Sequence, residues 1–204
     1  MPSNPENIFI GNGASECARI VLNAMIRGKT DGVMVPIPQY PLYSASIALY
    51  GGELVPYYLD EGNGWSLDID ELKKSLNTAK AKGILCRALV FINPGNPTGQ
   101  CLTEDNIKDL IEFCYDNQLV LCADEVYQEN IYNSQRPFIS ARKVLGQLPD
   151  PYKSGTEIIS FHTVSKVLYI RVISIYIIMI MVREHMVNVD YVVVIWNCII
   201  WMKE

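Results

Sequence analysis

Ala88-Leu89-Val90-Phe91-Ile92 is apolar at every position and runs directly into Asn93-Pro94-Gly95-Asn96-Pro97-Thr98-Gly99. A strand with one wet face alternates apolar and polar residues. A strand without alternation is covered on both faces, as in a parallel sheet layered between helices. Val33-Met34-Val35 and the runs 119–123 and 157–161 repeat the pattern. Between them, residues 16–26, 42–49, 67–78 and 104–117 carry apolar residues at helical spacing, with Thr103 placed to cap the last of these. Gly28 is the expected stop of the first helix. Alternating strands and helices of this kind predict an α/β fold, a largely parallel sheet with helices on both faces.

In such sheets ligands bind outside the carboxyl ends of the strands. The out-of-place polar residues collect there: Ser15, Tyr40, Asn96, Asp124, Tyr127 and Lys166. The last closes Ile158-Ile159-Ser160-Phe161-His162-Thr163-Val164-Ser165-Lys166, where an apolar run meets hydroxyl residues and then a lysine. Ammonium groups are costly to bury without a partner. A lysine at the end of a buried strand is therefore a candidate nucleophile toward a carbonyl, as in Schiff-base enzymes; the alternative is a surface lysine just past a strand.

Each of the other residues also has two readings. Gly13-Ala14-Ser15 opens a helix whose free N–H groups suit a phosphate, or is a simple capping turn. Tyr40, held between Pro38 and Pro41, stacks on a flat ring or packs in the core. Asn96 donates its amide to a ligand oxygen or satisfies its own turn. Asp124 ends an apolar strand, where a carboxylate needs a charge partner. A protonated pyridine nitrogen supplies one, with Tyr127 three residues on to reach the ring's oxygen. A phosphate seat, a stacking ring, an amide, an acid and an amine together meet the requirements of pyridoxal phosphate.

Composition narrows the alternatives. The net charge of −5 and the absence of a basic stripe argue against nucleic acid as a partner. Six cysteines without a CxxC pair read as reduced core thiols, which favours a cytoplasmic setting, or a mitochondrial matrix for a complete gene product, over secretion. No signal peptide is read at the N-terminus, and no membrane partner is expected.

The segments Pro36-Ile37-Pro38-Gln39-Tyr40-Pro41-Leu42-Tyr43-Ser44, Asn93 to Gln100, Ala123-Asp124-Glu125-Val126-Tyr127-Gln128 and Ser160 to Lys166 resemble the fold-type I aminotransferases of class I/II. The Pro-Gly-Asn spelling and Tyr57-Tyr58-Leu59-Asp60-Glu61 are most similar to the alanine aminotransferases. The resemblance implies the large domain of pyridoxal-phosphate-dependent transferases over 1–166, in incomplete form. It also implies amino transfer from L-alanine to 2-oxoglutarate and a homodimer in the complete protein. Carried over by position, Lys166 is the Schiff-base lysine and proton shuttle, and Asp124 keeps the pyridine nitrogen protonated. Asn96 and Tyr127 bond the ring oxygen, Tyr40 stacks, and Ala14, Ser15, Thr163 and Ser165 hold the phosphate. No metal is implied.

The pattern breaks after the lysine. Residues 167–204 contain neither glycine nor proline, although the chain has 13 and 11 of these. The family's glycine-rich stretch with a phosphate arginine is replaced by Val167-Leu168-Tyr169-Ile170-Arg171, and Arg171 is too near Lys166 to match that arginine. The small domain with the substrate-carboxylate arginine is not recognised. The tail reads as a membrane anchor, for which its uncharged run is shorter than the ~20 residues a spanning helix needs; as a core element of strand-forming residues; or as read-through of a retained intron. The expectation is read-through: a divergent tail foreign to the fold, on a truncated chain with little activity; the alternatives are a non-catalytic fragment, or a fold-type I aminotransferase of different amino-acid specificity.

Overall fold

The structure, a computed structural model, describes residues 4–163, 166 and 177–182. Seven strands form one sheet: β1 (Ile8–Gly11), β2 (Asp31–Ile37), β3 (Glu53–Tyr58), β4 (Leu85–Ile92), β5 (Val120–Asp124), β6 (Ile158–Phe161) and β7 (Ile177–Val182), in the order β1-β7-β6-β5-β4-β2-β3. β3, β2, β4, β5 and β6 pair in parallel, while β7 lies antiparallel between β1 and β6. The helices are α1 (Ala14–Met25), α2 (Leu42–Leu49), α3 (Ile69–Ala81), α4 (Glu104–Asp116), α5 (Ala141–Gln147) and the single turn α6 (Tyr152–Gly155).

The strand order explains which face each helix covers. From β1 to β2 and on to β3 the chain advances one way across the sheet; from β3 through β4 and β5 to β6 it advances the other way. Parallel crossovers are right-handed, so reversing direction moves the connecting helix to the opposite face. Accordingly α1 and α2 pack Cys17, Val21, Leu22, Tyr43 and Ile47 on Val33, Val35, Ala88, Val90, Cys122, Ile159 and Phe161. Helices α3, α4 and α5 pack on the alternate residues Met34, Leu89, Phe91, Leu121, Ala123 and Ile158. Both sets of strand residues are buried, which is why these strands lack alternation.

The expected elements are present with small shifts at their ends. Thr103 caps α4, its hydroxyl accepting from Asn106 N–H at 3.2 Å. Gly28 is not the cap of α1: that helix ends at Met25, with Ile26 extended, and the Gly28 carbonyl instead accepts from Asp31 N–H in the turn that starts β2. Six residues of the tail form β7, and most of 167–204 lies outside the described residues. Among the described residues no helix is long and apolar enough to cross a membrane.

Candidate active site

A crevice of ≈ 360 Å³ opens at the carboxyl ends of the strands, lined by Asn12, Gly13, Ala14, Ser15, Tyr40, Leu42, Ile92, Asn96, Asp124, Val126, Tyr127, Thr163 and Lys166. These come from the segments after β1, β2, β4, β5 and β6, so the sheet itself gathers them. Of the residues expected from the sequence, Ala14, Ser15, Tyr40, Asn96, Asp124, Tyr127, Thr163 and Lys166 meet here; Ser165 lies outside the described residues. A second hollow, between Tyr57, Phe91 and Leu102, holds ≈ 20 Å³. That is room for about one water and no organic ligand.

One end of the crevice is the start of α1. Gly13 is the N-cap, with φ 115°, a backbone region that glycine enters freely, and it has no side chain with which to cap the helix. Ser15 is therefore inside the first turn rather than at the cap. The N–H groups of Ala14 and Ser15 have no carbonyl of their own helix to bond and form the positive end of its dipole, while Glu16 N–H already reaches the Gly13 carbonyl at 2.9 Å. The Glu16 carboxylate turns back to accept from Asn12 N–H, bracing the loop between β1 and α1.

In the middle, Asp124 ends β5 on the α1/α2 face and is 8% exposed. Its partner is Tyr43 of α2, 81 residues away, whose buried hydroxyl donates to Oδ2 at 2.7 Å. Val126 N–H reaches Oδ1 only at 3.4 Å. Burial pushes the Asp124 carboxyl up to about 6, against the opposing pull of the Tyr43 and Val126 hydrogen bonds. The Tyr43 phenol is itself held well above its ordinary value, first by burial and then by the Asp124 charge, so it remains a donor. Among the described residues no cation pairs with Asp124.

On the other side, Asn96 Nδ2 donates to the Tyr127 hydroxyl at 3.1 Å. The Asn96 loop is fixed by Asn93, fully buried, whose amide donates to the Ile139 carbonyl at 3.3 Å and accepts from Leu102 N–H at 3.0 Å. Gly95 and Gly99 tighten it; a Cβ on Gly95 would run into Thr98 Oγ1. Glu125, buried beside Asp124, accepts from Ala141 N–H at 2.7 Å and from the Ser140 hydroxyl at 2.8 Å, so it caps α5 from another element.

One placement differs from the expectation, and one settles between two readings. Lys166 is exposed on the crevice rim rather than buried at a strand end, because the strand stops five residues earlier at Phe161; its Nζ lies 5.6 Å from the centre of the Tyr127 ring. Tyr40, 52% exposed, is no core residue: its ring lines the crevice. Tyr43 was missed. Its signal was a tyrosine on the buried side of an apolar helix, where a hydroxyl requires a partner.

The donor set fits pyridoxal phosphate. A buried carboxylate without a cation suits a protonated ring nitrogen. The Asn96–Tyr127 pair suits the ring oxygen, and an uncapped helix start suits the phosphate. A lysine amine and a half-exposed tyrosine face share the same ≈ 360 Å³.

Comparison with known proteins agrees. The model of aminotransferase class I and II matches residues 1–169. Glutamate–glyoxylate aminotransferase 1 of Arabidopsis thaliana is 56% identical over 165 residues, 81% of this chain and 34% of that protein. Mitochondrial alanine aminotransferase 2 of the same plant is 52% identical over 168 residues, 82% of this chain and 31% of that protein. A crystal structure of an aminotransferase from Escherichia coli superposes with a TM-score of 0.73 at 27% identity, covering 88% of this chain and 40% of that one. The chain spans about a third of the length of the curated relatives it matches. Aminotransferases of this class depend on pyridoxal phosphate. By sequence, sheet and crevice alike, this chain belongs to the class I and II aminotransferase family.

Proposed function

We propose that residues 1–166 hold pyridoxal phosphate and form the cofactor-binding part of an aminotransferase that converts L-alanine and 2-oxoglutarate into pyruvate and L-glutamate. The observation that carries this is the convergence of Lys166, Asp124 and the hydrogen-bonded Asn96–Tyr127 pair on one crevice. When bound, the cofactor supplies an aldehyde that condenses with amines and a ring that takes up electrons.

The chain's own residues divide the remaining work. The start of α1, with Ser15 and Thr163, receives the phosphate. Asp124 would accept from the ring nitrogen through Oδ1 and hold the proton there. Asn96 and Tyr127 would hold the ring through its oxygen, and Tyr40 and Val126, which line the crevice, would pack beside it. Lys166 Nζ, at the crevice rim, takes a proton from the amino acid's α-carbon and returns it on the other side of the reaction. In the complete enzyme the site belongs to a homodimer.

Among the described residues no arginine lines the crevice. The phosphate and a substrate carboxylate would both lack a guanidinium partner there. Weak cofactor uptake and low turnover are therefore expected of this chain alone. The 56% identity to a glutamate–glyoxylate aminotransferase favours a second reading, in which the preferred pair is glutamate and glyoxylate.

The test is a single-turnover transfer with pyridoxal phosphate and chain at equal concentration. L-Alanine should yield up to one pyruvate per chain, D-alanine none, and Lys166→Ala none above free cofactor. A pyruvate yield that Lys166→Ala leaves unchanged contradicts the proposal. After loading with L-glutamate, faster amino transfer to glyoxylate, giving glycine, than to pyruvate, giving alanine, decides for the second reading.

A further inference from the structure

We infer that Tyr43 is a positioning residue: its hydroxyl engages Oδ2 of Asp124 and so leaves Oδ1 as the oxygen presented to the crevice. The geometry carries this. The 2.7 Å bond to Oδ2 is short and buried, whereas among the described residues Oδ1 has only the 3.4 Å contact with Val126 N–H. A carboxylate at a strand end rotates about its side-chain torsions unless one oxygen is tied. Tyr43 ties it from a rigid base. Its ring is 1% exposed, packed among the residues of the α1/α2 face. It sits in the first turn of α2, directly after the Tyr40 loop, so one helix start places both the ring that faces the crevice and the donor beneath the acid.

The hydroxyl also sustains the charge. A buried carboxylate that loses a hydrogen bond from a neutral donor holds its proton to higher pH. The Tyr43 bond opposes the burial of Asp124, and the phenol cannot ionise in competition because the carboxylate and its own burial both hold its proton. Among the described residues the other titratable groups coupled to Asp124 are Cys122 on the same strand, pushed up to about 12 by burial, and Glu125 next in the chain, raised by burial and anchored to α5. Tyr127 and Lys166 line the crevice in front of it.

The role as a cofactor-positioning residue rests on the proposed function, but the tie to Asp124 does not, and the two are tested separately. Thermal unfolding of the chain without cofactor is followed from pH 4 to 8 in four forms: the parent, Tyr43→Phe, Asp124→Asn and the double variant. In the parent, stability falls as pH rises through about 6, where Asp124 ionises in the folded state. In Tyr43→Phe that fall moves to higher pH by about one unit, and in Asp124→Asn its Asp124 part disappears. Glu125 feels the Asp124 charge, so the effect of Tyr43 is read only between forms with the same residue at 124. If Tyr43→Phe alone does not fold, the double variant should fold as well as Asp124→Asn, because the stranded carboxylate is gone. An unshifted pH window, or a double variant no better folded than Tyr43→Phe, overturns the inference.

The same four forms are then titrated with pyridoxal phosphate at pH 8. Tyr43→Phe should weaken binding roughly 5- to 30-fold when Asp124 is intact and less than 2-fold when it is added to Asp124→Asn. Equal losses in both backgrounds overturn the positioning role. A moved pH window with no cofactor binding in any form, the parent included, keeps the tie and rejects the functional reading.

Discussion

Asn96 Nδ2 and the Tyr127 hydroxyl, 31 residues apart in the chain, meet at 3.1 Å across the carboxyl ends of adjacent strands β4 and β5. Because the amide donates, the phenol's oxygen is the acceptor and its own proton is free to point into the crevice. The pair is therefore one donor unit built from two loops. Tyr127→Phe and Asn96→Ala should each weaken pyridoxal phosphate binding about 5- to 20-fold, in line with ~1–2 kcal/mol for a hydrogen-bonded polar contact. The double variant should lose little more than either single one. Losses that multiply would show two independent contacts, which absorbance titration distinguishes.

Asp124 opposes the stability of the chain that carries it. Its carboxyl stands at about 6 in the folded chain against an ordinary 3.8, and at ~1.4 kcal/mol per pH unit this amounts to roughly 3 kcal/mol. The sign follows from the raised value: the folded state binds the proton more tightly, so the contribution is present below pH 4 and is lost as pH rises through 6. Asp124→Asn, which can still accept from Tyr43, should raise the urea midpoint of unfolding at pH 7. Urea titrations at pH 5 and pH 7 check this, and a destabilised Asp124→Asn variant contradicts it.

Glu125 joins the site to the helix behind it. Its carboxylate accepts from Ala141 N–H and from the Ser140 hydroxyl, while Ser140 makes no capping bond of its own to α5. Glu125→Ala leaves the start of that helix without its acceptor and should cost about 1–2 kcal/mol in urea unfolding. Amide exchange should quicken first at Ala141. Unchanged exchange at that amide would place the helix's anchor elsewhere.

Strand β7 comes from the tail that sequence analysis sets apart from the domain, beyond the 1–169 matched by the family model. In the sheet it is not peripheral. Ile180 pairs with Ile8 on one side and Ser160 on the other, so β1 reaches the sheet through β7. Proline inside a strand flanked on both sides removes a ladder bond to one neighbour and clashes with the pleat. Ile180→Pro should therefore destabilise the chain by about 3 kcal/mol and expose the amides of Ile8 to Gly11 to exchange. Unaltered stability would mean that β7 contributes nothing to the sheet.

Much of this architecture was legible in the sequence because its cause is local. Strands covered on both faces must be apolar throughout, and polar residues that interrupt such runs at their ends have few reasons to be there; hence Asp124, Asn96 and Tyr127 stood out. What was missed depends on distant contacts. Tyr43 reads as one more ring on an apolar helix until folding brings Asp124 under it from 81 residues away. Ser15 looks like a cap, and only the positive φ of Gly13 moves the helix start two residues earlier. The pairing of β7 is likewise invisible to local pattern: an unbroken run of Ile, Val and Met is compatible with a strand but does not name its neighbours.

The central claim is that Lys166 and the crevice below it hold pyridoxal phosphate. The most direct measurement is to incubate the purified chain with the cofactor, reduce with borohydride and map the modified peptide by mass spectrometry. The account predicts one cofactor per chain, attached at Lys166, with labelling much reduced in Asp124→Ala and at background in Lys166→Ala. Label spread evenly over surface lysines such as Lys73, Lys74 and Lys108, or none at Lys166, would contradict it.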